Sequence, residues 1–193
     1  MIVESRQNLR ILDFDIENKP VSYGGMDFTF GVVTAIACCW ADDPKSMRVW
    51  FRDRNTPTVH FPKAHLLAIR ALFAEAGILT GHFIRRHDLP ALNGEFLMAG
   101  LPPMPERLTI DTKSDLTARG LISHSQENLA AYLFRAEAKL HMTEMDWREA
   151  NLFLPAGVEK AKKRAVDDVI QHMALRTELN RIGHLGEPKT WRP

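Results

Sequence analysis

The chain has 193 residues, of which 45% are hydrophobic and 25% are charged, so a largely disordered chain is excluded. This length suffices to bury a sizeable core without disulfides or a structural metal. The 25 Lys and Arg residues nearly balance the 24 Asp and Glu residues, and a net charge of +1 excludes a bulk attraction to nucleic acid, while a local basic patch stays compatible.

Three strands are predicted in the first part of the chain. Leu12, Phe14 and Ile16 alternate with acidic residues, which is the period of a strand over residues 9–16. A second strand, rich in Val, Ile, Thr and Cys, is predicted at residues 31–40 and a third at residues 47–51. A turn at residues 42–44 separates the last two, so we expect a short antiparallel meander.

Helices and strands alternate after residue 57. Apolar residues at helical spacing predict a helix at residues 65–75, which Gly77 ends. The other predicted elements are a strand at 78–80, a helix at 89–99, a strand at 108–110, a helix at about 123–138 with a Ser123/Gln126 capping box, and a helix at 157–181. This order predicts an α/β fold with a mixed sheet covered by helices. We expect a single domain over residues 1–193, with its core at about 8–181 and a polar tail at 183–193.

The compartment is predicted from the cysteines and from the apolar runs. Cys38 and Cys39 are neighbours on a predicted strand and point to opposite faces, which suits neither a disulfide framework nor a shared metal site. Residues 1–10 contain no apolar run, and the most apolar stretch, 32–41, is about half the length that a membrane span needs. We expect a cytoplasmic protein without a membrane segment.

The first strand carries three acidic residues, Asp13, Asp15 and Glu17, on one face. The apolar residues between them indicate a central strand, where unpaired carboxylates cost several kcal/mol and repel each other. A divalent cation offsets that cost, and Mg²⁺ or Mn²⁺ prefers such oxygen ligands. A solvent-facing acidic strand edge is the alternative interpretation.

A second candidate element follows the strand at 78–80. A Gly81-His82 turn leads to Asp88, which opens the next helix. An aspartate in the first turn of a helix is also a common capping residue, because it accepts hydrogen bonds from amides that have no helical partner. From this segment alone, capping and chemistry both stay open.

A third candidate element lies in the last helix, where Asp167 and Asp168 occupy interior positions that disfavour aspartate. Asp168 lies near the edge of the apolar stripe and is predicted to point inward. Asp167 fits a solvated face, with an ion pair to Lys163 one turn earlier. Lys163 and Arg164 belong to a basic run that suits contact with a phosphate backbone.

Together, these elements resemble the DEDD-type (DnaQ-like) 3′–5′ exonucleases of the ribonuclease H-like superfamily, which include polymerase proofreading subunits. The family's first motif, D-x-E, matches Asp15-Ile16-Glu17. Its second matches Gly81-His82-Phe83 followed by Asp88-Leu89-Pro90. Its third, an aspartate in a late helix, matches Asp168-Val169. The resemblance covers about residues 8–180, and the order of elements agrees with the family fold.

The resemblance implies a ribonuclease H-like sheet, with three antiparallel strands followed by parallel strands and helices on its faces. It implies a 3′–5′ exonuclease that uses two Mg²⁺ or Mn²⁺ ions on DNA in replication, repair or proofreading. Asp15 would bridge both ions, Glu17 and Asp168 would hold the ion that activates water, and Asp88 would act at the second ion, partly through water. The implied partners are a DNA 3′ end, single-stranded above all, and a DNA polymerase.

Two departures from the family concern the residue that handles the attacking water and a substrate contact. The family has Tyr four residues, or His five residues, before its third aspartate, where this chain has Arg164 and Lys163. His87 and His172 are candidate substitutes for that base, His172 because it lies one turn beyond Asp168. The family's usual Asn is Phe83 here.

The resemblance also implies which residues contact the substrate and leaves two other functions open. The substrate contacts would be His82, Phe83, Lys163 and Arg164. An RNA 3′–5′ exonuclease is the first alternative, because the same chemistry cuts both polymers. A catalytically weakened member that binds nucleic acid or a polymerase is the second, with the missing Tyr or His as its mark.

Two acidic residues receive no catalytic role. Asp13 shares the face of Asp15 but has no counterpart in the family, so we interpret it as peripheral. Asp111 ends a predicted strand and is interpreted as a turn or cap residue.

Overall fold

The computed structural model describes residues 9–20, 31–52, 61–117, 120, 123–135 and 140–193. The strands are β1 (Ile11–Pro20), β2 (Gly31–Trp40), β3 (Asp43–Phe51), β4 (Ile78–Gly81), β5 (Arg107–Asp111) and β6 (Lys189–Trp191). The helices are α1 (Lys63–Glu75), α2 (Asp88–Met98), α3 (Gln126–Phe134), α4 (Glu144–Asn151) and α5 (Pro155–Arg181).

The strands form one mixed sheet in the order β3-β2-β1-β4-β5-β6. The first three strands are antiparallel neighbours, β4 and β5 run parallel to β1, and β6 is antiparallel to β5. The predicted mixed sheet, with three antiparallel strands followed by parallel strands, is therefore confirmed. The pairing of β1 with β4 covers only residues 11–13, so the second half of β1 extends beyond the end of β4.

Side chains of β1 and β2 alternate between two helical layers. Leu12, Phe14 and Ile16 pack against α1 and α2, and each fully buried side chain of this kind contributes about 1.5–3 kcal/mol. On the other face, small residues of β2 pack against Ala161 and Ala165 of α5, whose short side chains let the helix lie close to the sheet. The acidic residues of β1 share the α5 face, because successive strand residues point to opposite sides.

Several predicted elements differ from the structure in detail. Helix α3 is capped by Ser125, whose side chain accepts from the Asn128 amide, so the predicted Ser123 capping box is wrong. The helix ends at Phe134, and the predicted end near residue 138 lies outside the described residues. The polar tail contains the short strand β6, with Trp191 buried in the main core.

Two further points concern α4 and the membrane. Helix α4 is absent from the elements predicted above, although Thr143 and Asp146 form a capping box at its start. Across the described part of the chain, no helix combines the length and apolarity that a bilayer crossing demands.

Candidate metal centre

Three carboxylates come together between β1 and α5. Asp15 and Glu17 lie on the α5 face of β1, and Asp168 faces them from the middle of the helix. One oxygen of each lies within 4.8 Å of the others, while Glu17 is 7% exposed and Asp168 4% exposed. Three hard oxygen donors at this spacing fit Mg²⁺ or Mn²⁺, because these ions prefer carboxylate ligands.

The orientation of α5 separates its two adjacent aspartates. Asp168 is buried, and its backbone carbonyl accepts a hydrogen bond of 2.8 Å from Gln126 Nε2 of α3. Asp167 is partly exposed, and its carboxylate lies 2.5 Å from Lys163 Nζ, which is the predicted ion pair. Asp168 is therefore the inward residue of the pair, and Lys163 lies on the outer face.

Asp88 lies at the start of α2 and contacts the backbone of β1 between the two acidic ligands. Its Oδ1 accepts the amide hydrogen of Ile16 at 3.2 Å, beyond the point where β4 stops pairing with β1. Among the described residues it does not join the group of three carboxylates. The Asp88 side chain thus accepts a hydrogen bond from a strand amide that β4 does not reach. His87, the residue before it, makes no side-chain capping bond to α2.

Burial and a neighbouring histidine have opposite effects on the pKa of Asp88. Burial raises the pKa of Asp88, although His87 and the Ile16 amide favour its charged form. His87 is half exposed, and its Nδ1 lies 3.3 Å from Asp88 Oδ2. This contact raises the pKa of His87 against a smaller opposing effect of burial.

The position of the family's Tyr is occupied by Arg164, which contacts the acidic group itself. Its Nε donates to Glu17 Oε1 at 2.7 Å, and its Nη1 donates to the Leu140 carbonyl at 3.1 Å. Burial acts to lower the pKa of Arg164, but the charges of Glu17, Asp168 and Asp15 outweigh it and raise the pKa. The guanidinium that the resemblance assigned to substrate binding is thus paired with a candidate metal ligand.

Asp13 is fully buried, and among the described residues it does not join the group of three carboxylates, so its interpretation as peripheral to that group stays a prediction. Arg176 of α5 donates from Nε and Nη2 to the two carboxylate oxygens, both at 2.9 Å. His172, only 1% exposed, places Nδ1 2.9 Å from the same carboxylate. Burial would raise the pKa of Asp13, but His172 and Arg176 lower it below its usual value. His172 therefore packs against Asp13, one turn beyond Asp168.

Arg176 is the residue of this cluster that sequence reasoning missed. The available signal was its spacing, because Arg164, Asp168, His172 and Arg176 follow each other at intervals of one helical turn and therefore share a face.

The turn after β4 is built around a glycine and a strained phenylalanine. A Cβ on Gly81 would lie 2.6 Å from the Phe14 carbonyl oxygen, so only glycine fits there without movement. Phe83 has φ of 71°, a left-handed conformation that asparagine adopts far more readily than phenylalanine. His82 Nδ1 lies 3.0 Å from Thr112 Oγ1, which orients the ring toward β5.

Asp111 stabilises this turn, in agreement with its interpretation as a turn residue. Its carboxylate accepts from the amides of Phe83 and Arg85, at 2.9 Å and 3.2 Å. It also accepts from the amides of Lys113 and Ser114 in its own turn. Lys113 Nζ in turn lies 4.1 Å from the centre of the Phe83 ring. One buried carboxylate therefore joins the two loops at the carboxyl ends of β4 and β5.

Comparison with known proteins identifies the fold. No family profile and no curated protein sequence matches the chain. A solved structure of the family B DNA polymerase from the hyperthermophilic archaeon Pyrobaculum calidifontis matches 89% of it, with a TM-score of 0.65 and 18% sequence identity. The chain spans 24% of the length of that polymerase. The mixed sheet and helical layers described above are thus similar in fold to one part of a DNA polymerase.

Proposed function

We propose that this protein is a metal-dependent 3′–5′ exonuclease that releases nucleotides from DNA 3′ ends by a two-metal-ion mechanism in replication, repair or proofreading. The observation that carries the proposal is the group of Asp15, Glu17 and Asp168, whose oxygens lie within 4.8 Å of one another. The fold shared with part of a DNA polymerase supports it.

The carboxylates of Asp15, Glu17 and Asp168 would hold the divalent cations, with Asp88 acting on the side of the α2 N-terminus. Bound Mg²⁺ or Mn²⁺ supplies Lewis-acid stabilisation of the charge that develops in phosphodiester hydrolysis. Asp88 fixes the β1 backbone at Ile16, and thereby the spacing of the two ligands on either side of it. This is the contribution that the protein itself makes to a preorganised site.

The remaining proposed roles are proton transfer and substrate contact. His87 is the more accessible of the two candidate bases, because its side chain is 49% exposed and that of His172 is 1% exposed. His82 and Phe83 belong to the second sequence motif, and Lys163 and Arg164 precede Asp168 of the third. All four residues are proposed to contact the DNA strand.

A degradation assay tests the proposal. Purified protein is incubated with 5′-labelled single-stranded DNA and RNA of matched sequence, in Mg²⁺, in Mn²⁺ and in EDTA. We expect a metal-dependent ladder that shortens from the 3′ end and is absent from an Asp15→Ala, Glu17→Ala double variant. A stronger signal on RNA would instead favour the RNA exonuclease.

The two adjacent aspartates of α5 give a matched pair for the same assay. Asp168→Asn removes a candidate ligand, so we expect the rate to fall more than about 100-fold, beyond the loss usual for outer-shell partners. Asp167→Asn removes an equal charge from the outer face, and we expect the ladder to persist. Equal rates for the two variants would contradict the assignment of Asp168.

A binding protein of the same fold is the second candidate, and one observation favours it. Arg164 stands where the family has a Tyr and is paired with Glu17. Label that stays intact in every lane, from protein shown to be folded by circular dichroism, would favour this candidate. Fluorescence anisotropy with the same oligonucleotides would then measure binding.

A further inference from the structure

One positive charge already lies within the group of carboxylates. Arg164 Nε donates to Glu17 Oε1 at 2.7 Å, a short, charge-assisted hydrogen bond. The Arg164 side chain is 25% exposed and that of Glu17 9% exposed, so the pair is partly shielded from water. The charges of Asp168 and Asp15 also act on this guanidinium.

The guanidinium and a divalent cation would neutralise the same charge. Three carboxylates with oxygens within 4.8 Å of one another repel when no cation lies among them. Arg164 relieves part of that repulsion through Glu17. The Arg164 hydrogen bond reaches Oε1 of Glu17, and a metal ion bound to either oxygen of that carboxylate would repel the adjacent guanidinium.

Arg164 has a second acceptor that does not belong to the acidic group. Its Nη1 donates to the Leu140 carbonyl at 3.1 Å, in the segment that leads to α4. A side chain released from Glu17 therefore keeps one of its hydrogen bonds. This second acceptor offsets part of the cost of losing the contact with Glu17.

We propose that Arg164 is a built-in counter-ion of the acidic group, that a divalent cation competes with it for the charge of Glu17, and that Arg164 thereby lowers the metal affinity of the site. The inference rests on the proposed metal site. It assigns to Arg164 a regulatory contact with the ligands in place of the water-orienting role that the family's Tyr has at this position.

The direct test is a calorimetric titration with Mn²⁺ of the wild type, Arg164→Gln and Lys162→Gln. Lys162 lies two residues earlier on α5 and pairs with Glu159 of its own helix, so its variant removes the same charge away from the carboxylates. We expect Arg164→Gln to lower the Kd for Mn²⁺ about tenfold, equivalent to about 1.4 kcal/mol. The Kd of Lys162→Gln should stay within about twofold of the wild type, as for a solvated charge that salt screens.

Thermal unfolding supplies an independent readout that needs no turnover. In EDTA, Arg164→Gln should melt below the wild type, because Glu17 loses its ion pair with Arg164. Saturating Mn²⁺ should raise its melting temperature more than that of the wild type. Arg164→Lys keeps the charge but lacks the planar guanidinium, so its melting temperature in EDTA should lie between those of the wild type and Arg164→Gln. It serves as the test if Arg164→Gln does not fold without metal.

The outcomes separate this inference from the proposed function. In one outcome the wild type binds Mn²⁺, Asp168→Asn does not, and Arg164→Gln binds no more tightly than the wild type. That result would overturn the role of Arg164 and leave the metal site intact. Failure of the wild type and of folded Arg164→Gln to bind Mn²⁺ or Mg²⁺ would overturn the metal site, and the inference with it.

Discussion

Single side chains on β1 meet partners that lie very far along the chain. Glu17 and Arg164 are 147 residues apart, and Asp13 and Arg176 are 163 residues apart. Local spacing predicted that acidic residues gather on one face of the strand. It did not predict which cations they meet, because such pairs form only when α5 packs on the sheet.

The buried ion pair of Asp13 predicts a large effect of Arg176→Ala. The substitution leaves a fully buried carboxylate that has lost its guanidinium and still lies against His172, and breaking such a pair costs about 3–5 kcal/mol. Urea denaturation measures the loss. Arg181→Ala is the control, since Arg181 is exposed and pairs with Glu178 of the same helix, and it should change stability by less than about 0.5 kcal/mol. Equal losses in the two variants would refute the structural role of the pair.

The backbone approach at Gly81 predicts a contrast between two glycines. Gly81→Ala places a methyl group 2.6 Å from the Phe14 carbonyl oxygen, so we expect a loss of about 1–3 kcal/mol or more. Gly94 lies within α2, and a Cβ added there would meet nothing within 4 Å, so Gly94→Ala should stabilise by about 0.5–1 kcal/mol. Thermal melts of both variants make the comparison, and a tolerated Gly81→Ala would contradict the close contact.

Among the helices and strands, those with long periodic apolar patterns were predicted best from the sequence. The helices α1, α2 and α5 carry regular apolar patterns, and their ends were predicted within about two residues, whereas β1 runs to Pro20, beyond its predicted end at residue 16. Helix α4 has eight residues and a polar composition, so its capping box was the one local signal. Strand β6 has three residues, too few to show any period, and its existence depends on the exposed edge of β5.

Strand β6 predicts that the end of the chain contributes to stability. Trp191 is 7% exposed and packs in the main core, so Trp191→Ala should cost about 3–5 kcal/mol. The neighbouring Arg192 side chain is 79% exposed, and Arg192→Ala should cost less than about 0.5 kcal/mol. Guanidinium denaturation of the two variants tests this. Similar midpoints would mean that residues 189–191 do not hold the edge of the sheet.

For the whole molecule, buried acids make stability depend on pH. Burial would raise the pKa of Asp115, but Arg85 and Lys189 outweigh it and lower the pKa below 3.8. A group whose pKa is lower in the folded state stabilises the fold above its unfolded pKa. That contribution is lost as the pH falls through the lower, folded value. Asp13 acts in the same direction.

We therefore expect the free energy of unfolding to decrease steadily as the pH falls below about 3.8. Asp115→Asn should be less stable than the wild type at pH 6, and its stability should change less with pH below 4. Glu106→Gln, a change at an exposed acid on the surface, should keep the wild-type profile. Urea titrations from pH 6 to pH 2.5 measure the slopes. A profile of Asp115→Asn parallel to that of the wild type would contradict this account.

The polar contacts between α5 and β1 also fix how the helix is aligned along the strand. Four residues of an α-helix rise about 6 Å and two residues of a strand about 6.6 Å, so one helical turn keeps pace with every second strand residue. The matched positions are Arg164 with Glu17, Asp168 with Asp15, and His172 with Asp13. A slip of one turn would separate Arg164 from Glu17 and His172 from Asp13. A single alignment of this 27-residue helix thus sets all three contacts at once, and a slipped helix would lose the two that join opposite charges or a histidine and a carboxylate.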